Sequence, residues 1–484
     1  MKILPVQHNF DINGKFQKGN ETLIKQNFLK FSNNCANLVQ PVAFTGISMK
    51  YLKAKAYLKY SANKIDGIDN TDIYKFNLNK LNGIQDGIKV FQGLNMKEIA
   101  FISRSVSEIC TNRGCYNKCL HCYAKAQKPL TQAQDTISKM SWEDFNLLTN
   151  GYKELNERLG FRITGSKIKN IDKNKNRYTT AFHDADCINI SMTDKNGEEH
   201  DFIEIANKIS DSFGISPIFD TAGWTPKNKI LQKRAEKYAK YFSSPENYDK
   251  LLEVNISVNP FHALYARSVA EKRMGNFEQS EKFKNLYTDR MANAIFTFTP
   301  MLKQNKLSIL FRAFDNEPKI ENFKGFQEDD LKELGKDILN KLKEYYKADL
   351  HGEQKYIKNK KQASACITKV RKEFSDIRTI TLSGRGIDIF GKDNVHYINQ
   401  QEKINEFNEI LHNANDVSFI NTSKFTGIID SNGKYYLTTY WSSYPTELKL
   451  NFINKNKQTA PIHPSLQEDL IITKSLINQK VGCL

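Results

Sequence analysis

Four of the eight cysteines of this chain lie within thirteen residues, and this cluster is the part of the sequence best suited to chemistry. Its inner three members, Cys115, Cys119 and Cys122, have the spacing C-x3-C-x2-C, and Cys110 precedes them. Three thiolates so close together on one loop can converge on a single inorganic centre. Thiolates are soft ligands that suit zinc and iron–sulfur clusters. The spacing therefore predicts a metal centre held by these three side chains.

The spacing leaves three interpretations of the cysteines open. A structural zinc site would take Cys110 as its fourth ligand, but such sites usually pair two C-x2-4-C knuckles, and no second knuckle is nearby. A redox-active Cys119–Cys122 pair would leave Cys115 unexplained. A [4Fe–4S] cluster held by three thiolates would leave one iron open to a substrate or cofactor. We favour this third interpretation, in which Cys110 is a buried strand residue.

The elements that must position the cysteines form an alternating series. From about residue 98, runs typical of strands are each followed by a helical pattern. The cluster begins where the first strand ends, which is the edge where parallel α/β proteins build their sites. The series predicts an α/β fold with a parallel sheet, open or partly closed as a barrel. The predicted strands are Ile99–Thr111, Thr179–Met192, Ile215–Thr221, Leu252–Asn259, Leu307–Phe314 and Arg378–Ile389, and the predicted helices are Ser141–Leu159, His200–Phe213, Asn228–Phe242, Ala263–Arg273, Glu278–Phe296 and Asp329–Tyr346.

Three segments follow from this pattern. Residues 1–95 form an N-terminal extension of unknown role, residues 96–395 form the β/α core, and residues 396–484 form a small C-terminal α+β appendage. In the appendage we expect a helix, Gln400–His412, and a hairpin whose turn is Asp430-Ser-Asn-Gly433, because Asn-Gly between two β-rich runs is a strong hairpin signal. The basic stretches are predicted to be exposed loops or faces: Lys167–Arg177 and Lys355–Arg371.

The cysteine spacing after the first strand of a β/α series resembles the radical S-adenosylmethionine (SAM) superfamily. The likeness covers about residues 98 to 390. It implies a partial (β/α)6, TIM-like barrel and a [4Fe–4S] cluster whose open iron binds the amino and carboxylate groups of SAM. In that family, an electron from the reduced cluster cleaves SAM to methionine and a 5′-deoxyadenosyl radical, which abstracts a hydrogen atom from the substrate. An electron donor such as flavodoxin or ferredoxin would reduce the cluster.

The resemblance also implies which residues contact SAM. His121 stands where the family places an aromatic residue beside the adenine. Asp184 or Asp186 stands in place of the family's Gly-Gly-Glu-like motif and would accept from the SAM ammonium. Gly223, in the Thr-Ala-Gly-Trp ending of the third strand, would let the backbone approach the cofactor.

The last three strands supply further candidates. Asn255, Ser257 and Asn259 share one face of the fourth strand by its period of two and are candidates for the ribose and the SAM carboxylate. Arg312 on the fifth strand could balance that carboxylate, although a basic residue there is often structural. Arg385, in Leu-Ser-Gly-Arg-Gly, matches a Gly-Arg segment that many members place against the cofactor.

Composition bears on the partners. The net charge is +17, but only 13 of the 71 basic residues are arginine, and lysine-rich usage of this kind is typical of solvated helix faces. A nucleic-acid site more typically has clustered arginines with aromatic residues between them. The polar N-terminus, the lack of a long apolar run and the sparse cysteines predict a cytoplasmic protein with no membrane partner.

The predicted hairpin bears on the substrate. Ile429–Leu437 resembles the segment that opens the auxiliary-cluster extensions of peptide-modifying members, which favours a peptide or protein substrate over RNA. Only Cys483 lies beyond it, so we do not expect a second cluster. The alternative function is a non-catalytic RNA-binding protein stabilised by zinc or an iron–sulfur centre.

Overall fold

The computed structural model describes residues 89–95, 98–99, 101–102, 106–113, 115, 119, 136–159, 169–172, 175–177, 179–180, 186–213, 216–314, 328–380, 405, 408–409, 426–439, 442–453 and 458–461. All of them belong to one compact unit, Leu58–Leu484. Within these ranges, no helix combines the length and the apolar character that crossing a lipid bilayer requires.

Strands and helices alternate through most of the described chain. The strands are β1 Val106–Ile109, β2 Asn112–Arg113, β3 Thr136–Lys139, β4 Lys169–Asp172, β5 Lys175–Arg177, β6 Thr179–Thr180, β7 Ser191–Thr193, β8 Glu199–Asp201, β9 Ser216–Thr221, β10 Glu253–Val258, β11 Leu307–Phe314, β12 Arg378–Ile380, β13 Thr426–Ile429, β14 Lys434–Thr439, β15 Ser442–Lys449 and β16 Gln458–Pro461. The helices are α1 Trp142–Leu159, α2 Phe202–Phe213, α3 Lys229–Ser243, α4 Ala263–Arg273, α5 Phe277–Thr297, α6 Thr299–Lys303, α7 Glu328–His351 and α8 Lys360–Ser375, with 3-10 turns at Lys89–Phe91, Cys187–Asn189 and Pro245–Lys250.

Five parallel strands form the central sheet, in the order β6-β9-β10-β11-β12. The spatial order equals the chain order, and helices lie in the connections between β9, β10, β11 and β12. Parallel neighbours need such crossovers, because a short turn cannot return the chain to the same end of a sheet. The fold is therefore α/β, as the alternating pattern predicts, and β1 contacts β6 at the end of this sheet.

The two faces of the central sheet differ in chemistry. One face, which we call the helix-covered face, consists of large apolar side chains buried against the helices. Phe219 packs its ring 5.0 Å from that of Phe202 on α2, and Phe311 packs 5.0 Å from Phe374 on α8. The opposite face, which we call the polar face, carries by alternation Asp220, Asn255, Ser257, Ser308 and Arg312.

Strands from the two ends of the described chain pair with each other. β1 pairs in parallel with β13, which continues antiparallel through β14 to β15. The backbone N–H of Cys110 donates to the Ile429 carbonyl at 2.8 Å, so this pairing reaches the first residue of the cysteine cluster. β16 likewise pairs with β3, which pairs with β2. The C-terminal strands therefore hold both ends of the segment that carries the cysteines.

Local sequence signals explain several boundaries. The Ser141 hydroxyl accepts from the Asp144 backbone N–H at 3.1 Å, which caps α1 as the Ser-Trp-Glu-Asp pattern predicts. Asn228 caps α3 in the same way. At the predicted hairpin, Gly433 has a φ of 77°, and the Asp430 carboxylate accepts from the N–H groups of Asn432 and Lys434.

Three predicted elements differ from the structure. The first strand begins at Val106 instead of Ile99, because residues 98–99 and 101–102 are helical. The predicted second strand is interrupted by the 3-10 turn at Cys187–Asn189. His200 lies in β8, because Asp201 accepts from the Ile203 N–H and starts α2 there.

Most of the basic stretch Lys355–Arg371 belongs to α8, and its basic side chains form the exposed face of that helix, as predicted. That helix buries an apolar stripe under its charged surface: Cys366, Ile367, Val370 and Phe374. The stretch Lys167–Arg177 contains the antiparallel pair β4–β5. Only residues 405, 408 and 409 of the predicted helix Gln400–His412 are described, and all three are helical.

Candidate metal and cofactor site

The described cysteines fall into two groups by exposure. Cys115 and Cys119 are half-buried, whereas Cys110, Cys187 and Cys366 are buried, and none of these five forms a disulfide. Cys110 follows β1 directly and is 2% exposed, which confirms the prediction that it is a buried residue at the strand. The thiols with access to a bound group are therefore the two in the C-x3-C-x2-C spacing. Cys122 and His121 lie outside the described residues.

Cys115 lies near the end of β9. The pKa of the Cys187 thiol is raised well above its ordinary value, mainly by burial and then by the Asp220 carboxylate, and Cys115 is close enough to add to this rise. Cys187 also accepts a hydrogen bond from the Asp220 N–H, at 3.3 Å. Because Asp220 is the last residue but one of β9, Cys187 lies at the carboxyl edge of the central sheet, and Cys115 lies within electrostatic range of its thiol.

Cys119 lies near the end of β10. The pKa of Tyr287 on α5 is raised, mainly by burial, and Cys119 is close enough to contribute. The Tyr287 hydroxyl donates to the Asn259 carbonyl at 3.0 Å and accepts from the Asn259 N–H at 3.1 Å. Asn259 is the first residue after β10, so each of the two described thiols lies within electrostatic range of a group that contacts the end of one of two neighbouring strands.

Side chains of β10 continue the polar face below this edge. Asn255 donates its amide N–H to Asp220 at 2.8 Å, and Asn259 donates to the Ser257 hydroxyl at 3.0 Å. The structure thus brings Asn255, Ser257 and Asn259 to one face and near one another, as their spacing predicts. Asn255 is 5% exposed, and its amide oxygen has no hydrogen-bond partner among the described residues.

Two more buried polar side chains lie at the base of the cysteine loop. Within the described ranges, the hydroxyl of Thr111 and both amide atoms of Asn112 have no hydrogen-bond partner, although the residues are 0% and 1% exposed. Leaving such a group unpaired costs about 1–3 kcal/mol. These atoms, and the Asn255 amide oxygen, are therefore available to form hydrogen bonds with a bound molecule or with the remainder of the loop.

The turn after β9 is held from two sides. The Asp186 carboxylate accepts from the N–H groups of Ala222 and Ile188, at 2.9 and 3.2 Å. Arg290 of α5 donates to the carbonyls of Ala222 and Gly223, at 3.0 and 2.6 Å. Burial raises the pKa of Asp186, while the backbone donors, Thr221 and Arg290 oppose that rise.

Gly223 is required by this turn. Its φ is 73°, and a side chain there would meet Met291 at 2.8 Å and the Arg290 Cγ at 3.2 Å. The structure therefore explains the glycine by its approach to α5. The approach to a cofactor that the sequence suggests for Gly223 stays a prediction.

The remaining predicted residues fall in two groups. Arg312 is half-buried on the polar face, in register with Arg378 of β12. Asp184 and Arg385 lie outside the described residues, together with His121 and Cys122. Sequence reasoning did not identify Tyr287, Arg290 or Cys187, because their part in the site comes from helix α5 and a 3-10 turn packing on distant strand ends.

The donor set agrees with a soft metal centre. Two half-buried thiols lie within electrostatic range of groups at one sheet edge, and the polar face offers amide and hydroxyl groups. Thr111, Asn112 and Asn255 carry buried polar atoms with no hydrogen-bond partner among the described residues. No family model, curated protein or solved structure matches the chain significantly.

Proposed function

We propose that this protein is a radical SAM enzyme. The observation that carries the proposal is the C-x3-C-x2-C spacing shortly after β1, ahead of the parallel strands β6, β9, β10, β11 and β12. Cys115, Cys119 and Cys122 would hold a [4Fe–4S] cluster. When bound, that cluster supplies the electron that cleaves SAM to methionine and a 5′-deoxyadenosyl radical, which takes a hydrogen atom from the substrate.

We infer further that β1, β6, β9, β10, β11 and β12 form a partial (β/α)6 barrel. Three observations support this fold. The last five strands are parallel and follow one another in chain order, β1 contacts β6, and α2, α3 and α8 contact the same face of the sheet. A sheet covered by helices on one face and polar on the other is typical of a barrel whose interior is a ligand site.

The polar face has the groups that SAM requires. Asn255, Ser257 and Asn259 offer amide and hydroxyl groups for its ribose and carboxylate, and Arg312 offers a positive charge to that carboxylate. The Asp186 carboxylate would accept from the SAM ammonium only with the oxygen lone pairs that the Ala222 and Ile188 N–H groups leave available. Around these groups, the helix-covered face supplies the rigid packing that fixes their positions.

The zinc and iron–sulfur alternatives make different demands on Cys110. A four-thiolate zinc site needs it, whereas the three-thiolate cluster does not. Cys110 is buried directly after β1, and its N–H is committed to the Ile429 carbonyl. The metal content of Cys110→Ser therefore distinguishes the two arrangements.

The first test is anaerobic reconstitution with iron and sulfide. The wild-type chain should bind roughly four irons and release 5′-deoxyadenosine from SAM when dithionite is added. Cys119→Ser should lose both properties, because two thiolates cannot hold the cluster. Cys366→Ser is the matched control, since that thiol is buried on α8 and should leave both unchanged.

Two outcomes would contradict the proposal. One is a wild-type chain that binds one zinc, cleaves no SAM and loses its metal in Cys110→Ser. The other is tight RNA binding that needs no SAM and falls steeply with added salt, which would favour the RNA-binding alternative.

The substrate and the reductant belong to the same proposal. We favour a peptide or protein substrate on the basis of the hairpin formed by β13 and β14, and an electron donor of the flavodoxin or ferredoxin class. Because β13 pairs with β1, deleting the hairpin would also expose the strand that leads to the cysteines. Substitution of the half-buried Tyr436, which lies on the side of β14 opposite the buried Tyr435 and Leu437, is therefore a cleaner test. Tyr436→Ala should reduce substrate turnover and leave uncoupled SAM cleavage intact.

A further inference from the structure

A second group of metal-ligating side chains lies on the β7–β8 hairpin. Asp194, Glu198 and His200 each offer one ligand atom, and these atoms lie within 4.8 Å of one another. The sequence shows no motif at this place, and the radical SAM proposal does not use it.

Backbone hydrogen bonds in the hairpin turn hold the Asp194 carboxylate in place. Asp194 accepts from the backbone N–H groups of Asn196 and Glu198, at 2.9 and 2.8 Å, and Gly197 completes the turn with a φ of 85°. The hairpin is also fixed to the start of α1, because the Lys195 N–H donates to the Glu143 carboxylate at 2.7 Å. Glu198 itself is exposed and can turn toward a bound ion.

His200 is held as a metal-ligating histidine usually is. Its ring stacks on Trp142 with the ring centroids 3.9 Å apart and the planes 6° from parallel. Its Nδ1 atom lies 2.5 Å from the Glu204 carboxylate, and its side chain is 12% exposed. A carboxylate on one ring nitrogen fixes the tautomer and the orientation of the ring, and so directs the other nitrogen to a metal.

The other ring nitrogen is the unexplained atom. Nε2 of His200 is buried and has no hydrogen-bond partner within the described part of the chain. If Glu204 were the only partner of this ring, Nε2 would be left desolvated with nothing to offset its cost. A cation that also contacts Asp194 and Glu198 would satisfy Nε2 and neutralise both carboxylates.

We propose that Asp194, Glu198 and His200 bind a divalent transition-metal ion of the zinc class, with Glu204 as the carboxylate that orients His200. One imidazole and two carboxylates are a common set of protein ligands for such an ion, and the exposed side of the hairpin leaves room for water to complete the coordination. The ion would join the β7–β8 turn to His200, whose ring stacks on Trp142 of α1. It would thereby fix the segment of the chain between Asp186 and α2.

Cobalt(II) is a suitable probe because its spectrum reports the ligand type. The full-length chain with Cys115, Cys119 and Cys122 replaced by serine removes competition from the cysteine loop, so the result does not depend on the proposed function. We expect one Co²⁺ per chain, with weak ligand-field bands and without the intense ultraviolet absorption of cobalt bound to thiolate. Thermal unfolding should move to a higher temperature when the metal is added and return when EDTA removes it.

Four variants make the assignment specific. Glu198→Gln changes an exposed side chain, leaves the fold intact and should abolish most of the binding, as should His200→Gln. Glu204→Gln should weaken binding by roughly 10- to 100-fold, the usual effect of removing the partner that orients a ligand. His351→Gln, at the exposed end of α7, is the matched control and should bind as the parent does.

The proposal is overturned if the parent chain binds no Co²⁺ at millimolar concentration. It is also overturned if Glu198→Gln and His200→Gln bind the metal as tightly as the parent, or if the only bound cobalt has the thiolate spectrum.

Discussion

The two faces of the central parallel sheet are made by alternate residues of the same strands, yet they divide stability and chemistry between them. On β10, Val254, Ile256 and Val258 are completely buried against helices. Between them, Asn255 donates a hydrogen bond to Asp220, and Ser257 accepts one from Asn259. The Asn255 amide oxygen has no partner among the described residues. The comparison teaches that the helix-covered face stabilises the fold through apolar packing, whereas the polar face carries buried polar groups that do not contribute to that packing.

The largest expected effect tests the packing of the helix-covered face. Phe311→Ala should lower the free energy of unfolding by about 3–5 kcal/mol, because the phenyl ring is fully buried against Phe374 of α8. Urea denaturation of the chain without cofactor measures this loss. Leu310→Ala, one residue away on the opposite face and half-buried, is the matched control and should cost clearly less. Equal losses at the two positions would break the comparison.

The next effect tests the sheet edge where the two faces meet α5. Gly223→Ala should destabilise the chain by about 1–3 kcal/mol more than Gly275→Ala, because both glycines have positive φ but only Gly223 has a neighbour in the space of a Cβ. Thermal or urea unfolding of the two variants gives the difference. If the two alanine variants lose the same stability, backbone strain alone explains Gly223 and its contact with α5 contributes little.

A pH dependence tests Asp186 beside that edge. Burial raises the pKa of its carboxyl above the ordinary 3.8, so the folded chain binds this proton more tightly than the unfolded chain does. Stability from this group is therefore greatest at low pH and falls as pH rises from 3.8 through the raised pKa. The difference in unfolding free energy between wild type and Asp186→Asn, measured from pH 4 to pH 8, should decline as pH rises. A difference that increases with pH would show that the donors around Asp186 outweigh its burial.

The smallest expected effect on stability is at the polar face. Asn255→Leu should change the free energy of unfolding by less than about 1 kcal/mol, because it removes one hydrogen bond together with a buried unpaired oxygen. Under the proposed function, the same change should weaken SAM binding at least tenfold, as measured by equilibrium dialysis with the reconstituted protein. Unchanged SAM binding would remove β10 from the proposed site.

The sequence predicts the two faces of the sheet, and several element boundaries, where these depend only on residues adjacent in the chain. Strand alternation on β10 predicts which side chains share a face, and the strand β11 has the predicted bounds Leu307–Phe314. Ser141 and Asn228 begin their helices as their capping chemistry predicts. Such features need only the positions of a few consecutive residues, which is why they can be read without a structure.

Features set by distant residues could not be predicted in this way. The pairing of β1 with β13 joins strands more than 300 residues apart, and no local pattern marks it. The contacts of Tyr287 and Arg290 depend on how α5 packs across two strand ends. Helix α8 did have a local signal, the apolar spacing from Cys366 to Phe374, but its many lysines hid this stripe.

The pairing of β1 with β13 also sets an order of events during synthesis. The strand that leads into the cysteine cluster receives its partner only after residues 426–429 have left the ribosome, more than 300 residues after β1 itself. Until then, the edge of β1 beside the cluster stays open, and the hydrogen bond from Cys110 to Ile429 cannot form. Assembly of a metal centre at these cysteines is therefore expected to follow the synthesis of residues 426–429 and their pairing with β1.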